Sequence, residues 1–208
     1  MATRKYEQRL RAVSAEQTRR DVLTSLEERL KEKPGATVGL EDVARRAGVS
    51  RSTVYLVFGS RAGLFDALAD DLWQRSGLPH LTEAVAHPDA REHLRGGLRA
   101  GTRIYAAMRD VAAVLFAMSA LDPDSVGGAI LRIEDHRWGG MLHLAHRLAE
   151  QGVLRDDVTE ADAADTLWVI AGFESFDALY TGRGLPAEEV ADRLVLTAER
   201  SLCSPTDR

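Results

Sequence analysis

Residues 40–68 read LEDVARRAGVSRSTVYLVFGSRAGLFDAL, a stretch in which two short apolar-faced segments flank a single glycine. Apolar residues recur three or four positions apart on both sides of Gly48, and this spacing predicts two short helices. Gly48 can adopt the positive φ that a sharp turn between them needs. Ser50 is placed to cap the second helix, and Val54 and Phe58 would face a small core. The stretch therefore predicts a helix-turn-helix.

The second helix of this pair would present a polar side to solvent. In a helix-turn-helix, residues at the start of the second helix contact base edges in the major groove of DNA. An arginine fork suits the acceptor pair on guanine and a threonine methyl suits thymine, which favours Arg51, Ser52 and Thr53 as base-reading residues. Tyr55 and Arg61 would bind phosphate. The predicted DNA-binding set is Ser50, Arg51, Ser52, Thr53, Tyr55, Ser60 and Arg61.

The same stretch resembles the DNA-binding core of the tetracycline-repressor (TetR) family, over residues 16–75. The matching residues are Ala47-Gly48-Val49-Ser50, Thr53, Tyr55, Phe58 and Ser60, with Arg61 where the family usually has lysine. One position departs from the family: Leu40 stands where a threonine often touches a phosphate. The resemblance implies a homodimeric repressor that leaves a palindromic DNA operator when a small ligand binds.

Glycine and proline separate helical patterns along the rest of the chain, and no alternating run predicts a strand. The patterns predict about nine helices, at residues 15–33, 40–47, from 51, from 60, 88–108, 110–121, 124–151, 160–181 and 187–202. The fold class is therefore all-α. We expect a three-helix DNA-binding domain at residues 1–75, joined to a larger helical ligand-binding and dimerisation domain at residues 76–208.

Charge is divided unevenly along the chain. The net charge is −5, yet residues 1–64 carry 13 Lys/Arg against 8 Asp/Glu, and the remainder carries 14 against 24. A basic head on an acidic body is expected where one end meets phosphates. Residues 1–14 form a basic arm with Arg4, Lys5, Arg9 and Arg11. Two interpretations of this arm stay open: it follows the DNA backbone or minor groove, or it is a solvated tail.

The last two predicted helices carry broad apolar surfaces. Two copies packed as a four-helix bundle would bury them, and two-fold symmetry suits a palindromic operator. Burial inside one subunit is the alternative. The predicted dimer-interface residues are Leu167, Ile170, Phe176, Val190 and Leu194.

Aromatic residues and methionines lie beside small residues in the central helices, and such sets can line a pocket for an apolar or aromatic molecule. Ordinary core packing is the alternative for each residue. The predicted pocket residues are Tyr105, Met108, Phe116, Trp138, Met141, His143, Trp168 and Phe173.

Other functional classes have weaker signals. His136, His143, His146 and Glu150 share one predicted helix, but no cysteine or carboxylate cluster completes a site, so neither a metal nor a cofactor is expected. The sequence lacks a Gly-rich phosphate loop, a nucleophile elbow and an HExxH motif, so an enzyme is not expected. The remaining alternatives are an activator, a regulator without a ligand, and an all-helical enzyme or carrier.

Features of the sequence also bear on location. Cys203 is the only cysteine, which suits a reducing compartment. The N-terminus lacks the apolar stretch of a secretory signal, and the apolar run at residues 111–121 is too short to span a bilayer. We therefore expect a cytoplasmic protein without a membrane partner.

Overall fold

The structure is a computed structural model that describes residues 2–34, 36 and 38–205, with the side chains of residues 2–12, 123, 125, 127 and 129 left out of the description. The described residues form ten helices and no strand, which confirms the all-α class. An isolated bridge joins Leu154 to Cys203. The helices are α1 Ala2–Glu32, α2 Leu40–Arg46, α3 Arg51–Phe58, α4 Arg61–Arg75, α5 Leu78–Val85, α6 Ala90–Leu121, α7 Pro123–Glu150, α8 Glu160–Ile170, α9 Phe173–Tyr180 and α10 Ala187–Leu202.

Two long helices differ from the prediction. Helix α1 begins at Ala2 and not at residue 15, so the backbone of the basic arm is helical. The sequence of the arm has no apolar stripe, so hydrophobic periodicity did not predict a helix there. The side chains of its four basic residues lie outside the described part of the chain. The helices predicted at 88–108 and 110–121 are one helix, α6, because neither Arg109 nor Asp110 breaks a helix.

Two short helices also differ from the prediction. Helix α5 was missed because Gly77 and Pro79 suggested a break, whereas proline is well tolerated in a first helical turn. The helix predicted at 160–181 is divided at Gly172, which has an extended conformation with φ −75° and ψ 155° and begins α9. These changes turn the expected nine helices into ten.

The chain divides into two compact units, each built from two separate segments. The first unit comprises Met1–Asp71 and Asp110–Ile130, and the second comprises Leu72–Arg109 and Leu131–Arg208. Because both units contain segments distant in sequence, a single cut along the chain does not separate them. The domain boundary predicted after residue 75 stays a prediction.

In the first unit, α1 packs against α2 and α2 packs against α3. Val22, Leu26 and Val43 have no exposed surface and form part of its core. Two charged pairs also join α1 to α2. The Arg29 Nε lies 3.0 Å from the Asp42 Oδ2, and Arg46 donates two hydrogen bonds to Glu32, at 3.0 and 2.8 Å. These contacts fix the orientation of α2, and through it the position of α3.

In the second unit, α8, α9 and α10 pack on one another. Charged pairs connect α6 to α9 and α10: Arg109 with Asp177 at 2.7 Å, Arg95 with Glu199 at 2.7 Å, and Arg99 with Asp192 at 2.8 Å. The aromatic ring of Tyr105 on α6 lies 5.5 and 5.7 Å from the rings of Phe173 and Phe176 on α9. Helix α6 is thus held on one side by both ion pairs and ring contacts.

Within the described residues, α6 is the helix that is long and apolar enough to cross a membrane by length and composition. The 11-residue apolar run seen in the sequence is therefore part of a longer candidate. Leu94, Ile104 and Val111 of this helix are fully buried within the fold. That burial is typical of a core helix.

Candidate nucleic-acid interface

The turn and cap predicted between α2 and α3 are both present. Gly48 has φ +68°, a conformation that side chains disfavour. Ser50 is extended, with φ −78° and ψ 154°, and its hydroxyl oxygen accepts a hydrogen bond of 3.1 Å from the backbone N–H of Thr53. This cap satisfies one of the N–H groups left free at the start of α3 and fixes where the helix begins.

Helix α3 has one buried face and one exposed face. Val54 is fully buried and Phe58 is half-buried, with the guanidinium of Arg19 from α1 lying 5.4 Å from the Phe58 ring centre. On the other side, the exposed residues are Arg51, Ser52, Tyr55 and Leu56. The helix therefore presents a continuous surface of mixed polar and apolar side chains to solvent.

Arg51 is held in place by two neighbours. Its Nη1 donates a 2.6 Å hydrogen bond to the Glu41 Oε1, and its Nη2 lies 3.4 Å from the Tyr55 hydroxyl. The guanidinium also lies 5.5 Å from the centre of the Tyr55 ring. The hydrogen bond to Tyr55, and then the charge of Glu41, raise the pKa of Arg51 above its usual value. Sequence reasoning did not identify Glu41, because it lies ten positions before Arg51 and on another helix.

The hydroxyls at the start of α3 form a small cluster. The Ser50 Oγ lies 2.7 Å from the Ser52 Oγ and 2.8 Å from the Thr53 Oγ1. Ser52 is exposed, whereas Thr53 is half-buried. Ser50 and Thr53 therefore form the cap, and Ser52 is an exposed hydroxyl beside it.

At the start of α4, two residues of the predicted DNA-binding set also have partners within the chain. The Ser60 hydroxyl accepts a 2.9 Å hydrogen bond from the Gly63 N–H, which caps α4. The Arg61 Nε donates to the Val38 carbonyl at 3.3 Å, and its guanidinium lies 5.2 Å from the Phe65 ring centre. Arginine has five N–H donors, so Arg61 keeps others for a phosphate.

Leu40 and Gly63 both contribute to the packing of the helix-turn-helix. Leu40, at the position where relatives often have threonine, is 8% exposed and belongs to the core. Gly39 precedes it and provides no side-chain cap for α2. A Cβ at Gly63 would lie 2.2 Å from the Phe58 carbonyl oxygen, so this glycine allows α4 to approach the end of α3 closely.

A comparison with protein families matches this segment. Residues 26–68 fit the model of bacterial regulatory proteins of the tetR family. Residues 26–68 are therefore similar to the N-terminal domain of the tetR family. This match confirms the resemblance drawn from the sequence and makes the segment a DNA-binding helix-turn-helix of a transcriptional regulator. Curated proteins give no match to the chain.

Solved structures share the fold over most of the chain. NalD of Pseudomonas aeruginosa, described as the secondary repressor of the MexAB-OprM multidrug efflux pump, is 24% identical with a TM-score of 0.72, covering 91% of this chain and 98% of its own. A TetR-like regulator from Rhodococcus sp. RHA1 is 21% identical with a TM-score of 0.66, covering 88% and 94%. PfmR of Thermus thermophilus is 20% identical with a TM-score of 0.65, covering 86% and 97%. The fold of these three structures is thus shared over most of this chain.

The second unit contains a small cavity of about 30 Å³. The Tyr105 hydroxyl is buried there and makes no hydrogen bond, and burial raises the pKa of Tyr105 well above its usual value, so the phenol is protonated. The Thr102 hydroxyl donates a hydrogen bond of 2.9 Å to the Leu98 carbonyl. The lining residues are Gly97, Leu98, Gly101, Thr102, Tyr105, Ala171, Gly172, Phe176 and Leu194.

The eight predicted pocket residues do not line this cavity together. Tyr105 lines it and Phe173 packs against Tyr105, but Trp138 and Trp168 form a separate pair, 5.5 Å apart, with the Arg137 guanidinium 3.4 Å from the Trp168 ring centre. The others lie elsewhere: Met108 is buried, Met141 is half-buried, His143 is exposed beside His93, and Phe116 belongs to the first unit. The role of these residues in ligand binding stays a prediction.

The five predicted interface residues are covered by the chain itself. Leu167, Ile170, Phe176, Val190 and Leu194 are at most 8% exposed. Their apolar surface therefore needs no second copy to cover it, although the dimer itself stays a prediction. Phe176 and Leu194 line the cavity instead.

His146, on α7, lies between two carboxylates. The His146 imidazole lies 3.4 Å from the Glu150 carboxylate and 3.3 Å from the Glu160 carboxylate. Its hydrogen bond to Glu160, and then the charge of Glu150, raise its pKa. Across the described part of the chain, no group of three or more His, Cys, Asp or Glu is arranged to hold a metal ion.

Proposed function

We propose that this regulator is a transcriptional repressor that binds a palindromic operator as a homodimer and is released by a small, largely apolar or aromatic ligand. The observation that carries the proposal is the exposed face of α3, where Arg51 and Tyr55 stand on a capped helix whose other face is buried. Repression is supported by the fold shared with NalD, which is described as a repressor.

The proposed DNA contacts follow from the positions of these side chains. Arg51 begins α3, so its fork can reach the acceptor edge of a guanine in the major groove. Tyr55 and Arg61 would bind phosphates and fix the register. The excess of Lys/Arg over Asp/Glu in residues 1–64 favours the approach to the DNA backbone.

The proposed dimer uses exposed apolar residues of the second unit. Val169 on α8 is 65% exposed and Leu196 on α10 is 45% exposed, and these two helices pack on each other. A second copy would cover both side chains by two-fold symmetry. This surface replaces the five buried residues as the candidate interface.

The proposed ligand site is the cavity beside Tyr105. A cavity of about 30 Å³ has room for a water molecule but not for a larger ligand, so binding requires the site to widen. The ligand would be an apolar molecule with one group that hydrogen bonds to the Tyr105 hydroxyl. A ligand that binds the widened form more tightly shifts the population away from the DNA-binding form.

Selection from a pool of randomised DNA duplexes tests DNA recognition. The wild-type protein should enrich an inverted repeat, and Arg51→Ala should enrich it less strongly. Arg183→Ala, which removes an exposed arginine of the second unit, is the matched control and should enrich the same repeat. Absence of any enriched sequence with the wild-type protein would contradict DNA recognition.

A reporter gene placed behind the enriched repeat tests repression. Expression of the protein should lower reporter output, and Arg51→Ala should restore it. An increase in output with the wild-type protein would show an activator and contradict repression.

A further inference from the structure

Leu56 is an apolar side chain on the exposed face of α3. It is 87% exposed, and it lies one helical turn after Ser52 and next to Tyr55, which is 41% exposed. A single exposed leucine is ordinary on a protein surface. Leu56 differs because it lies on the face of the helix that the proposed function directs into the major groove.

The surroundings of Leu56 match the chemistry of that groove. Base pairs present hydrogen-bond acceptors and donors there, and the thymine C5 methyl is the apolar group among them. The exposed face of α3 pairs one cation, Arg51, with hydroxyls at Ser52 and Tyr55 and with one apolar group, Leu56. Each side chain of this face therefore has a counterpart on a base edge or on the backbone.

Thr53 is less suited to the methyl contact that the sequence predicted for it. Its backbone N–H and its hydroxyl both lie within hydrogen-bond distance of the Ser50 hydroxyl, and the residue is half-buried. Leu56 has no such involvement and presents nearly all of its surface. Leu56 is therefore a better candidate than Thr53 for the contact with a thymine methyl group.

We infer that Leu56 contacts the C5 methyl of a thymine in each half-site of the operator and makes the protein selective for thymine there. This inference rests on the proposed function. Leu56 lies five positions after Arg51, which is about 7.5 Å along a helix. Since successive base pairs are about 3.4 Å apart, the thymine should lie within about three base pairs of the guanine that Arg51 reads.

Deoxyuridine scanning tests the contact, because deoxyuridine differs from thymidine only by the missing C5 methyl. Each thymine of the enriched repeat is replaced in turn, symmetrically in both half-sites, and the Kd of each duplex is measured at one salt concentration. For the wild-type protein, one replacement should weaken binding by about fourfold per half-site, the factor expected for one buried methyl group. Leu56→Ala should weaken binding to the thymine duplex and be insensitive to that replacement.

Leu131→Ala is the matched control, since Leu131 is 60% exposed but lies on α7. It should keep the wild-type Kd and the wild-type deoxyuridine profile. The inference is wrong if the wild-type protein enriches a repeat but no deoxyuridine replacement weakens binding to it. It is also wrong if a replacement weakens binding of Leu56→Ala as much as that of the wild-type protein. In both cases the proposed function stands. If the wild-type protein enriches no repeat, both are overturned.

Discussion

Arg51 is the residue on which DNA recognition depends most in this account. Glu41 and Tyr55 hold its guanidinium at the start of α3 before any DNA is present. A group that is already oriented loses less side-chain entropy on binding. This arrangement argues that Arg51 contributes to sequence selectivity as well as to charge.

Replacing Arg51 with alanine should lower affinity for the enriched repeat by roughly 5- to 150-fold, the range for losing a fork contact to guanine. The thermal unfolding midpoint should not change, because the side chain is exposed. Fluorescence anisotropy and calorimetry measure the two quantities. Equal affinity of Arg51→Ala and the wild-type protein would remove Arg51 from the interface.

Replacing Tyr55 with phenylalanine removes one hydroxyl and keeps the ring. If that hydroxyl binds a phosphate, affinity should fall by roughly two- to tenfold on every duplex, whatever its sequence. Competition between the enriched repeat and a scrambled duplex measures this. A loss confined to the enriched repeat would instead make Tyr55 a base-reading residue.

At the scale of the helices, the junction of α3 and α4 depends on the absence of a side chain at Gly63. Alanine there would place its Cβ against the Phe58 carbonyl, so Gly63→Ala should lower the free energy of unfolding by about 1–3 kcal/mol. Gly139→Ala is the matched control, because its Cβ meets no atom within 4 Å and alanine favours helix. Urea unfolding should show a lower free energy of unfolding for Gly63→Ala and a higher one for Gly139→Ala. Equal changes in the two variants would contradict the packing assigned to Gly63.

The contact between α6 and α7 should depend on pH. Arg147 donates to the buried His93 at 3.1 Å, and burial, with the charges of Arg147, His143 and His87, lowers the pKa of His93 to about 4. The unfolded chain takes up a proton near pH 6.5 that the folded chain does not. The stability contribution is therefore complete above pH 6.5 and is lost progressively as the pH falls toward 4.

His93→Gln leaves Arg147 an acceptor and removes the titration. Between pH 7 and pH 5, the thermal midpoint of the wild-type protein should fall more steeply than that of the variant. Identical slopes would show that His93 is not held neutral by the fold.

Local features could be predicted from the sequence, and contacts between distant residues could not. The turn at Gly48 and the cap at Ser50 follow from residue chemistry within a few positions. The pairing of Glu41 with Arg51 arises only when two helices meet. An amphipathic pattern also shows that Leu167 has an apolar face to cover, but not whether its own chain or a second copy covers it.

At the scale of the whole molecule, a charge placed on the proposed dimer surface should separate the two copies. Val169→Arg should shift the sedimentation profile toward the monomer and weaken binding to the full inverted repeat, because two half-sites are then read independently. Leu131→Arg alters a leucine on α7 with similar exposure and is the control. A Val169→Arg variant that sediments as the wild-type protein does would exclude this surface as the interface.

The central claim is that the helix-turn-helix of residues 40–68 reads DNA sequence. It is tested most directly by the ratio of the affinities of the full chain for the enriched repeat and for a scrambled duplex of the same composition, at physiological salt. We expect a ratio of about 10³ or more, as for specific regulators, and a ratio lower by roughly 5- to 150-fold in Arg51→Ala. A ratio near one for the wild-type protein would contradict the claim.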